Sequence, residues 1–250
     1  TDTAVLPGLK TDYTMTYAGG KITLTSASST MILDGVETIQ YGNGVTQTVA
    51  TLYLERTHDA DGDGKADIYW RNTDDGRVSA WLMDGLTVKH GEVFSNVPLE
   101  WQVQDTTDLD GDGKSDLLWR NVNDGRVSTW LMDGLTVKQG EVFGNVPLEW
   151  KVQGTADFDG DGHGDILWRN VNDGRVSAWL MNGLTVVEGA VFSNVPLEWQ
   201  IQRTGDFDGD GYGDILWRNV NDGRVSAWLM KGLTVKQGAV FSDVPLEWQV

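Results

Sequence analysis

Residues 157–186 read DFDGDGHGDILWRNVNDGRVSAWLMNGLTV, and residues 206–235 repeat them almost letter for letter as DFDGDGYGDILWRNVNDGRVSAWLMKGLTV. Two earlier copies open at Asp59 and Asp108, so four units follow one another at a fixed interval of 49 residues. A period of 20 to 50 residues marks a repeat architecture, in which each copy is one supersecondary unit that buries its apolar surface only against its neighbours. Fold and function are therefore both read per repeat.

Each unit begins with an acidic loop that has carboxylates at positions 1, 3, 5 and 9. These are Asp59, Asp61, Asp63 and Asp67 in the first loop, and Asp108, Asp110, Asp112 and Asp116 in the second. The third has Asp157, Asp159, Asp161 and Asp165, and the fourth Asp206, Asp208, Asp210 and Asp214. Glycine holds position 6 (Gly64, Gly113, Gly162, Gly211), where a sharp turn lets the chain wrap back on itself. Alternate residues of such a loop aim oxygens at one centre, and calcium takes six to eight of them, with position 7 offering a main-chain carbonyl. Position 7 is Lys65, Lys114, His163 or Tyr212. That variation suits a ligand that is backbone rather than side chain. An EF-hand needs a bidentate Glu at position 12, but here that position is Trp70, Trp119, Trp168 or Trp217. The loop is thus the shorter type that closes on Asp at position 9, and it implies no flanking helices.

Asp and Gly are also ordinary turn formers, but turn propensity specifies one or two positions, not four in register four times. The absence of Cys and the presence of only three His disfavour transition metals, while an all-oxygen set suits calcium, magnesium or manganese. The formal charge is −18, and four bound divalent cations would move it to −10. Such acidity opposes nucleic acid or an anionic membrane as partner. No run of 18 apolar residues occurs, so no membrane insertion is expected, and the first residues lack a signal-peptide pattern. Calcium sites of modest affinity fill where calcium is near millimolar, which places the protein outside the cell or on its surface.

Between the loops the second unit shows β-rich runs at 115–121 and 126–132 joined by Val-Asn-Asp-Gly. A further strand follows Asp133-Gly134 over 135–143, and another spans 148–153 after Pro147. Four short strands per unit with apolar residues on both faces suit a propeller blade packed between two others. The twelve tryptophans fall at three phases: Trp70, Trp119, Trp168, Trp217; Trp81, Trp130, Trp179, Trp228; and Trp101, Trp150, Trp199, Trp248. Large residues at equivalent phases point first to packing between blades and second to sugar-stacking platforms. Arg71, Asn72 and Arg77 and their counterparts are read as hairpin-turn bonding and rim charge before ligand contacts.

The loop followed by Trp-Arg-Asn and Trp-Leu-Met resembles the FG-GAP/VCBS class of repeats, whose loops are similar to those of the integrin α-chain propeller; the resemblance covers about residues 51–250. It implies an all-β, calcium-binding β-propeller with the loops on one rim. Families built this way include cell-surface adhesion modules, a fungal lectin and non-catalytic appendages of secreted polysaccharide-degrading enzymes. Residues 1–50 lack the tryptophans and the Asp loop and read as alternating strands around 12–17, 21–25, 31–33 and 36–41. Their DGVETIQYGNG line resembles the module that closes the glycine-rich repeats of RTX-type exported bacterial proteins. The expected division is a small β module at 1–50 and a four-repeat propeller at 51–250, as the C-terminal part of something longer.

The strand that precedes each loop occurs five times, counting 51–57 at the front and 245–250 at the end, against four loops. Either the last strand closes the first blade in a four-bladed ring, or a second copy completes a larger ring as a homo-oligomer. The three His (His58, His90, His163) sit at different repeat phases and no nucleophile constellation stands outside the loops, so no enzyme activity is expected. The reading that fits near-identical units is a non-catalytic, multivalent binding module, for a glycan or glycosylated cell surface in the manner of a lectin or adhesion domain. A structural spacer or assembly domain, and an accessory domain of a secreted polysaccharide-degrading enzyme, are the alternatives.

Overall fold

A computed structural model of the chain describes residues 58–248 and, ahead of them, the backbone of six strands. The six are β1 (Thr3–Val5), β2 (Thr14–Ala18), β3 (Lys21–Thr25), β4 (Thr30–Asp34), β5 (Thr38–Gln40) and β6 (Thr46–Thr48). Strands β2, β3 and β4 form an antiparallel sheet, and β5 lies between parallel β1 and antiparallel β6. The strand expected at 51–57 lies outside the described residues, as do the last two residues of the strand expected at 245–250.

The repeats form blades. The first holds β7 (Ile68–Arg71), β8 (Arg77–Asp84) and β9 (Thr87–Asn96). The second holds β10 (Trp101–Thr107), β11 (Asp116–Asn121), β12 (Arg126–Asp133) and β13 (Thr136–Asn145). The third has β14 (Trp150–Ala156), β15 (Asp165–Asn170), β16 (Arg175–Asn182) and β17 (Thr185–Asn194). The fourth has β18 (Trp199–Gly205), β19 (Asp214–Asn219), β20 (Arg224–Lys231) and β21 (Thr234–Asp243). Each is an antiparallel meander with strand order equal to sequence order, and no helix occurs among the described residues. The expected all-β fold of four 49-residue propeller blades is thus what forms. Strand limits move by one to three residues, with 115–121 becoming Asp116–Asn121, 126–132 becoming Arg126–Asp133, 135–143 becoming Thr136–Asn145 and 148–153 becoming Trp150–Ala156. The run at 148–153 enters its sheet only at Trp150, because Pro147, Leu148 and Glu149 make a turn closed by Trp150 N–H donating to Pro147 O at 3.0 Å. Residues 245–248 make the same turn rather than a strand.

The Val-Asn-Asp-Gly turn works as its chemistry requires. Asn121 Oδ1 accepts from the N–H groups of Asn123 (2.9 Å) and Asp124 (3.3 Å), and Gly125 takes φ +81°. A Cβ on Gly125 would stand 2.1 Å from Val146 O, so glycine serves both the left-handed backbone and the close approach of the next turn. Arg120 then spans the sheet end, donating through Nη2 to Val146 O and Pro147 O, both at 3.0 Å.

The core lies between blades. Val78, Val97 and Tyr69 of blade one meet Leu117, Trp119 and Met132 of blade two. Leu118, Val127 and Val146 of blade two meet Ile166, Trp168 and Met181 of blade three, and Leu167, Val176 and Val195 meet Ile215, Trp217 and Met230 of blade four. Every residue of β11 and β15 is buried, as befits strands covered on both faces. Each inner tryptophan tilts against its partner on the neighbouring strand, with centroids 5.0 Å apart for Trp119 and Trp130 and 5.1 Å for Trp168 and Trp179. A guanidinium from the preceding blade lies over it: Arg71 over Trp119 at 5.5 Å, Arg120 over Trp168 at 5.0 Å, Arg169 over Trp217 at 4.9 Å.

Of the two arrangements expected, the closed four-bladed ring is not the one adopted. Trp119, Trp168 and Trp217 are 1 % exposed, whereas Trp70, at the same position in blade one, is 47 % exposed. At the other end Phe241 of blade four is 61 % exposed, while its counterpart Phe192 packs into the interface of blades three and four. The described blades form an open arc with one bare face at each end. Truncating Trp168→Ala should therefore cost about 3–5 kcal/mol in a denaturant titration. Val171→Ala in the exposed turn should stay within about 0.5 kcal/mol of the parent.

Candidate metal centres and the grooves between blades

Each acidic loop is a set of backbone N–H groups folded around its own carboxylates. Asp157 accepts through Oδ1 from Gly160 N–H (2.7 Å) and Asp161 N–H (3.2 Å), and through Oδ2 from Gly162 N–H (2.8 Å). Gly160 and Gly162 take φ +76° and +95°, angles that a side chain would oppose. Position 9 has a second task that the spacing did not reveal. Asp165 accepts from Phe158 N–H (2.7 Å) at the loop's start and from Met181 N–H (2.8 Å) on β16, tying loop and blade together. Asp67, Asp116 and Asp214 make the same pair of bonds in their own units.

This geometry gathers the carboxylates. Ligand oxygens of Asp59, Asp61 and Asp67 lie within 4.8 Å of one another, as do those of Asp108, Asp110 and Asp116, and those of Asp157, Asp159 and Asp165. In the fourth loop the gathered set is Asp206, Asp208 and Asp210, all at least partly exposed. The structure thus holds four Asp groups that could each bind a metal ion. Position 5 lies outside the gathered set in the first three loops and inside it in the fourth, and in three of the loops a lysine from the outer strand reaches it. Lys89 Nζ lies 2.6 Å from Asp63, Lys138 pairs with Asp112, and in the fourth loop Lys236 lies 2.7 Å from Asp210. The third unit has Val187 at that phase, so loop three has no such lysine.

Burial, set against the backbone bonds, drives the position-9 carboxyls upward: Asp116 to about 8, Asp165 to about 9 and Asp214 to about 6. Burial likewise lifts Asp59 to about 6. Crowding of like charge adds to each, from Asp110 and Asp108 on Asp116 and from Asp157 and Asp159 on Asp165. A buried carboxyl held back from ionising, beside two further carboxylates of its loop, is the electrostatic complement of a cation.

Neighbouring loops are stitched together. Ser115, Gly164 and Gly213 donate their N–H groups to the carbonyls of Asp59 (2.6 Å), Asp108 (2.6 Å) and Asp157 (2.5 Å) in the loop before. Gly134, Gly183 and Gly232 donate to Ala60 (2.9 Å), Leu109 (2.7 Å) and Phe158 (2.7 Å). The position-7 side chains, read from sequence as indifferent, lie over the position-4 glycine of the preceding loop: Lys114 over Gly62, His163 over Gly111 and Tyr212 over Gly160. His163 Nδ1 also donates to Leu109 O at 3.0 Å. The other histidines serve elsewhere, His58 with the Thr106 hydroxyl and His90 with Glu92 at 3.3 Å.

Between blades one and two opens a groove of about 270 Å³ lined by Asn96, Val97, Pro98, Trp101, Trp119, Ser128, Trp130 and Val142. Trp101 forms a wall braced by the Arg126 guanidinium 5.2 Å from its ring, which Asp124 holds at 2.8 Å. Trp150 with Arg175 and Trp199 with Arg224 repeat the brace at 5.1 and 5.2 Å. The buried indole nitrogens of Trp119, Trp168 and Trp217 have no hydrogen-bond partner among the described residues. Arg71 and Asn72, as expected, serve the hairpin: Asn72 Oδ1 accepts from Asp74 N–H at 2.8 Å, and Arg71 donates to Val97 O at 2.6 Å.

The chain matches the FG-GAP-like repeat family over residues 108–168 and 157–217. No curated protein matches it in sequence. Among solved structures, it is similar to the nidogen/laminin complex, at 14 % identity and TM-score 0.42, over 90 % of this chain and 78 % of that one. It is similar to a calcium-binding protein, regucalcin, from Agrobacterium tumefaciens, at 12 % identity and TM-score 0.43, over 98 % of this chain and 80 % of that one. The β-propeller domain of Swd1 from Myceliophthora thermophila is similar at 10 % identity and TM-score 0.35, over 93 % and 79 %.

Because the folded-state pKa of Asp116 and Asp165 lies above the unfolded value, the folded chain binds more protons between the two. Stability is then full below the unfolded pKa and lost as pH rises through about 8 to 9. In chelator, the melting temperature should fall between pH 6 and pH 9.5. In Asp165→Asn, which cannot ionise there, the fall should be smaller; an equal fall would remove Asp165 as a source.

Proposed function

We propose that the chain is a calcium-stabilised, non-catalytic binding module of an exported bacterial protein that presents equivalent carbohydrate sites along its blades. The calcium half rests on the four Asp groups described above. Their donors are hard oxygens, which suit calcium or magnesium, and the six to eight ligands of calcium leave room beyond three carboxylates. The remaining carboxylate of each loop (Asp63, Asp112, Asp161 and Asp214) and the main-chain carbonyls of Lys65, Lys114, His163 and Tyr212 would complete the shells. A bound ion supplies the counter-charge for carboxylates that the fold has desolvated, and it holds a loop that is itself bonded to the next blade.

Lysine already neutralises part of loops one, two and four. Loop three relies on the ion alone, so its dependence on calcium should be greatest. Calorimetry should count about four calcium ions, each stabilising by roughly 2.7 kcal/mol at a hundredfold excess over Kd, and chelator should lower the melting temperature. Asp161→Ala should remove one ion and leave three, because repeat stability is close to a sum of local and nearest-neighbour terms. Val187→Lys should weaken the third site while leaving the count at four. A melting temperature indifferent to chelator would defeat the calcium reading.

The carbohydrate half is carried by the groove between blades one and two, whose aromatic lining is edged by the polar side chains of Asn96 and Ser128. Its volume is at the small end for ligand pockets, which suits a single sugar residue lying on an aromatic wall. Its tryptophans recur at Trp150, Trp168 and Trp179 and at Trp199, Trp217 and Trp228, so one weak site is offered several times and avidity follows. Binding to an immobilised multivalent glycan should exceed binding to the free monosaccharide by about a hundredfold or more, and Trp101→Ala should reduce it. A broad glycan array without a hit at high protein concentration would defeat this half, and turnover of a polysaccharide by the purified chain would defeat the non-catalytic reading.

A further inference from the structure

The two bare ends of the arc are the two halves of an interface that the chain already makes three times. Blade one exposes Ile68, Trp70, Trp81 and Val88, the counterparts of Leu117, Trp119, Trp130 and Val137 in the core between blades one and two. Blade four exposes Phe207 and Phe241 and only half-buries Leu216, Val225 and Val244. These match Phe158, Phe192, Leu167, Val176 and Val195 in the core between blades three and four. Apolar patches of this kind on a soluble protein mark an interaction surface. We propose that blade four of one copy packs on blade one of a second copy, in the register of the internal interfaces, so that two copies close head to tail into a ring of eight blades.

Four independent features of the ends fit that register. Arg218 is held in its own blade as its counterparts are, donating to Val244 O at 3.1 Å, Pro245 O at 2.7 Å and Trp248 O. Among the described residues, it alone of the four has no tryptophan beneath its guanidinium, and Trp70 alone of its four has no guanidinium above it. The carbonyls of Asp206 and Phe207 stand where Asp157 and Phe158 accept from Gly213 and Gly232, so they await the N–H groups of Ala66 and Gly85 of a second copy. Lys114, His163 and Tyr212 lie over Gly62, Gly111 and Gly160, whereas Gly209 has open space above it where Lys65 of a second copy would lie.

The fourth feature is steric. A Cβ on Gly164 would stand 2.3 Å from Thr107 Oγ1, and one on Gly213 would stand 2.3 Å from Ala156 Cβ, so at each of these contacts one partner is glycine. At the joining contact the pair is Ala66 and Gly205. Glycine has changed sides but is still present. The first internal pair, His58 and Ser115, has no glycine, and there His58 takes φ +76°.

The number of copies follows from the blades. An asymmetric end-to-end interface produces a ring when its rotation closes. Propellers run from four to eight blades, so two copies of the four described blades reach the upper limit and three exceed it, while one copy leaves its ends apart as described. Light scattering on the full chain with calcium present should give a mass of twice 27.5 kDa. Trp70→Ala should return it to 27.5 kDa with its melting temperature measured as a folded monomer, and Arg218→Ala should raise the dimer dissociation constant about tenfold. The chain has no cysteine, so the double variant Ala66→Cys, Gly205→Cys reports the joint directly. On oxidation it should run as a covalent dimer on a non-reducing gel. A monomer by mass at micromolar concentration, a cross-link confined within one chain, or open-ended oligomers would each overturn the proposal.

Discussion

The structure depends on a tryptophan lying beneath an arginine of the blade before it. Trp119, Trp168 and Trp217 each bring a large apolar surface to an interface that is otherwise built from Leu, Ile, Val and Met, and burial of that surface is the main term holding one blade to the next. The arginine above adds a cation–π contact in a site shielded from water. It can do so because its own blade fixes it: Nη2 of Arg120 and Arg169 bridges two turn carbonyls, which only the Val-Pro turn brings together. One residue thus closes its own sheet and covers the neighbour's core.

The acidic loops and the packing act on the same joint. The carbonyls that start the first three acidic loops accept hydrogen bonds from the next loop and the next hairpin, as Asp108 does from Gly164 and Leu109 does from Gly183. The carboxylate that ends each loop accepts from the methionine N–H of its blade, as Asp116 does from Met132. Metal-free, each loop crowds four carboxylates into one turn, and burial together with like charge opposes their ionisation. Whatever neutralises the loop therefore also tightens the contact between blades. Loop three, with Val187 where its siblings have lysine, lacks the lysine that shares this role elsewhere.

Much of this was legible from the sequence because each signal was repeated. The 49-residue period, the Asp-Gly turns and the two-faced strands pointed to the blades, and the tryptophan phases to the interface. The misplaced strand start at 148 has a local cause: Leu148 and Glu149 look like strand residues, but the turn after Pro147 uses both before pairing begins at Trp150. Three features were hidden for a different reason. The two hydrogen bonds that Asp165 accepts, the lysines on position 5 and the stacking of His163 on Gly111 all join residues from separate elements, and no spacing within one loop encodes them. The open arc was hidden as well, because near-identical repeats describe an interface without saying how many turns of it make a ring.

Arrays of stacked repeats ordinarily end in units whose outer face is polar, since an apolar face left in water invites association. Blades one and four, the outermost of the described blades, carry apolar outer faces. Trp70 and Trp81 keep their tilted pairing, with centroids 4.9 Å apart, on a face that nothing among the described residues covers. On blade four, Phe207 and Phe241 remain phenylalanine where a polar residue would serve solubility better. Meanwhile the positions that are free to vary have done so: position 7 runs Lys, Lys, His, Tyr and position 8 runs Ala, Ser, Gly, Gly along the chain. Variation that follows the neighbour across each joint, with apolar identity kept at both ends, is what contact on every face would preserve. It makes the end faces part of the same packing problem as the interior ones.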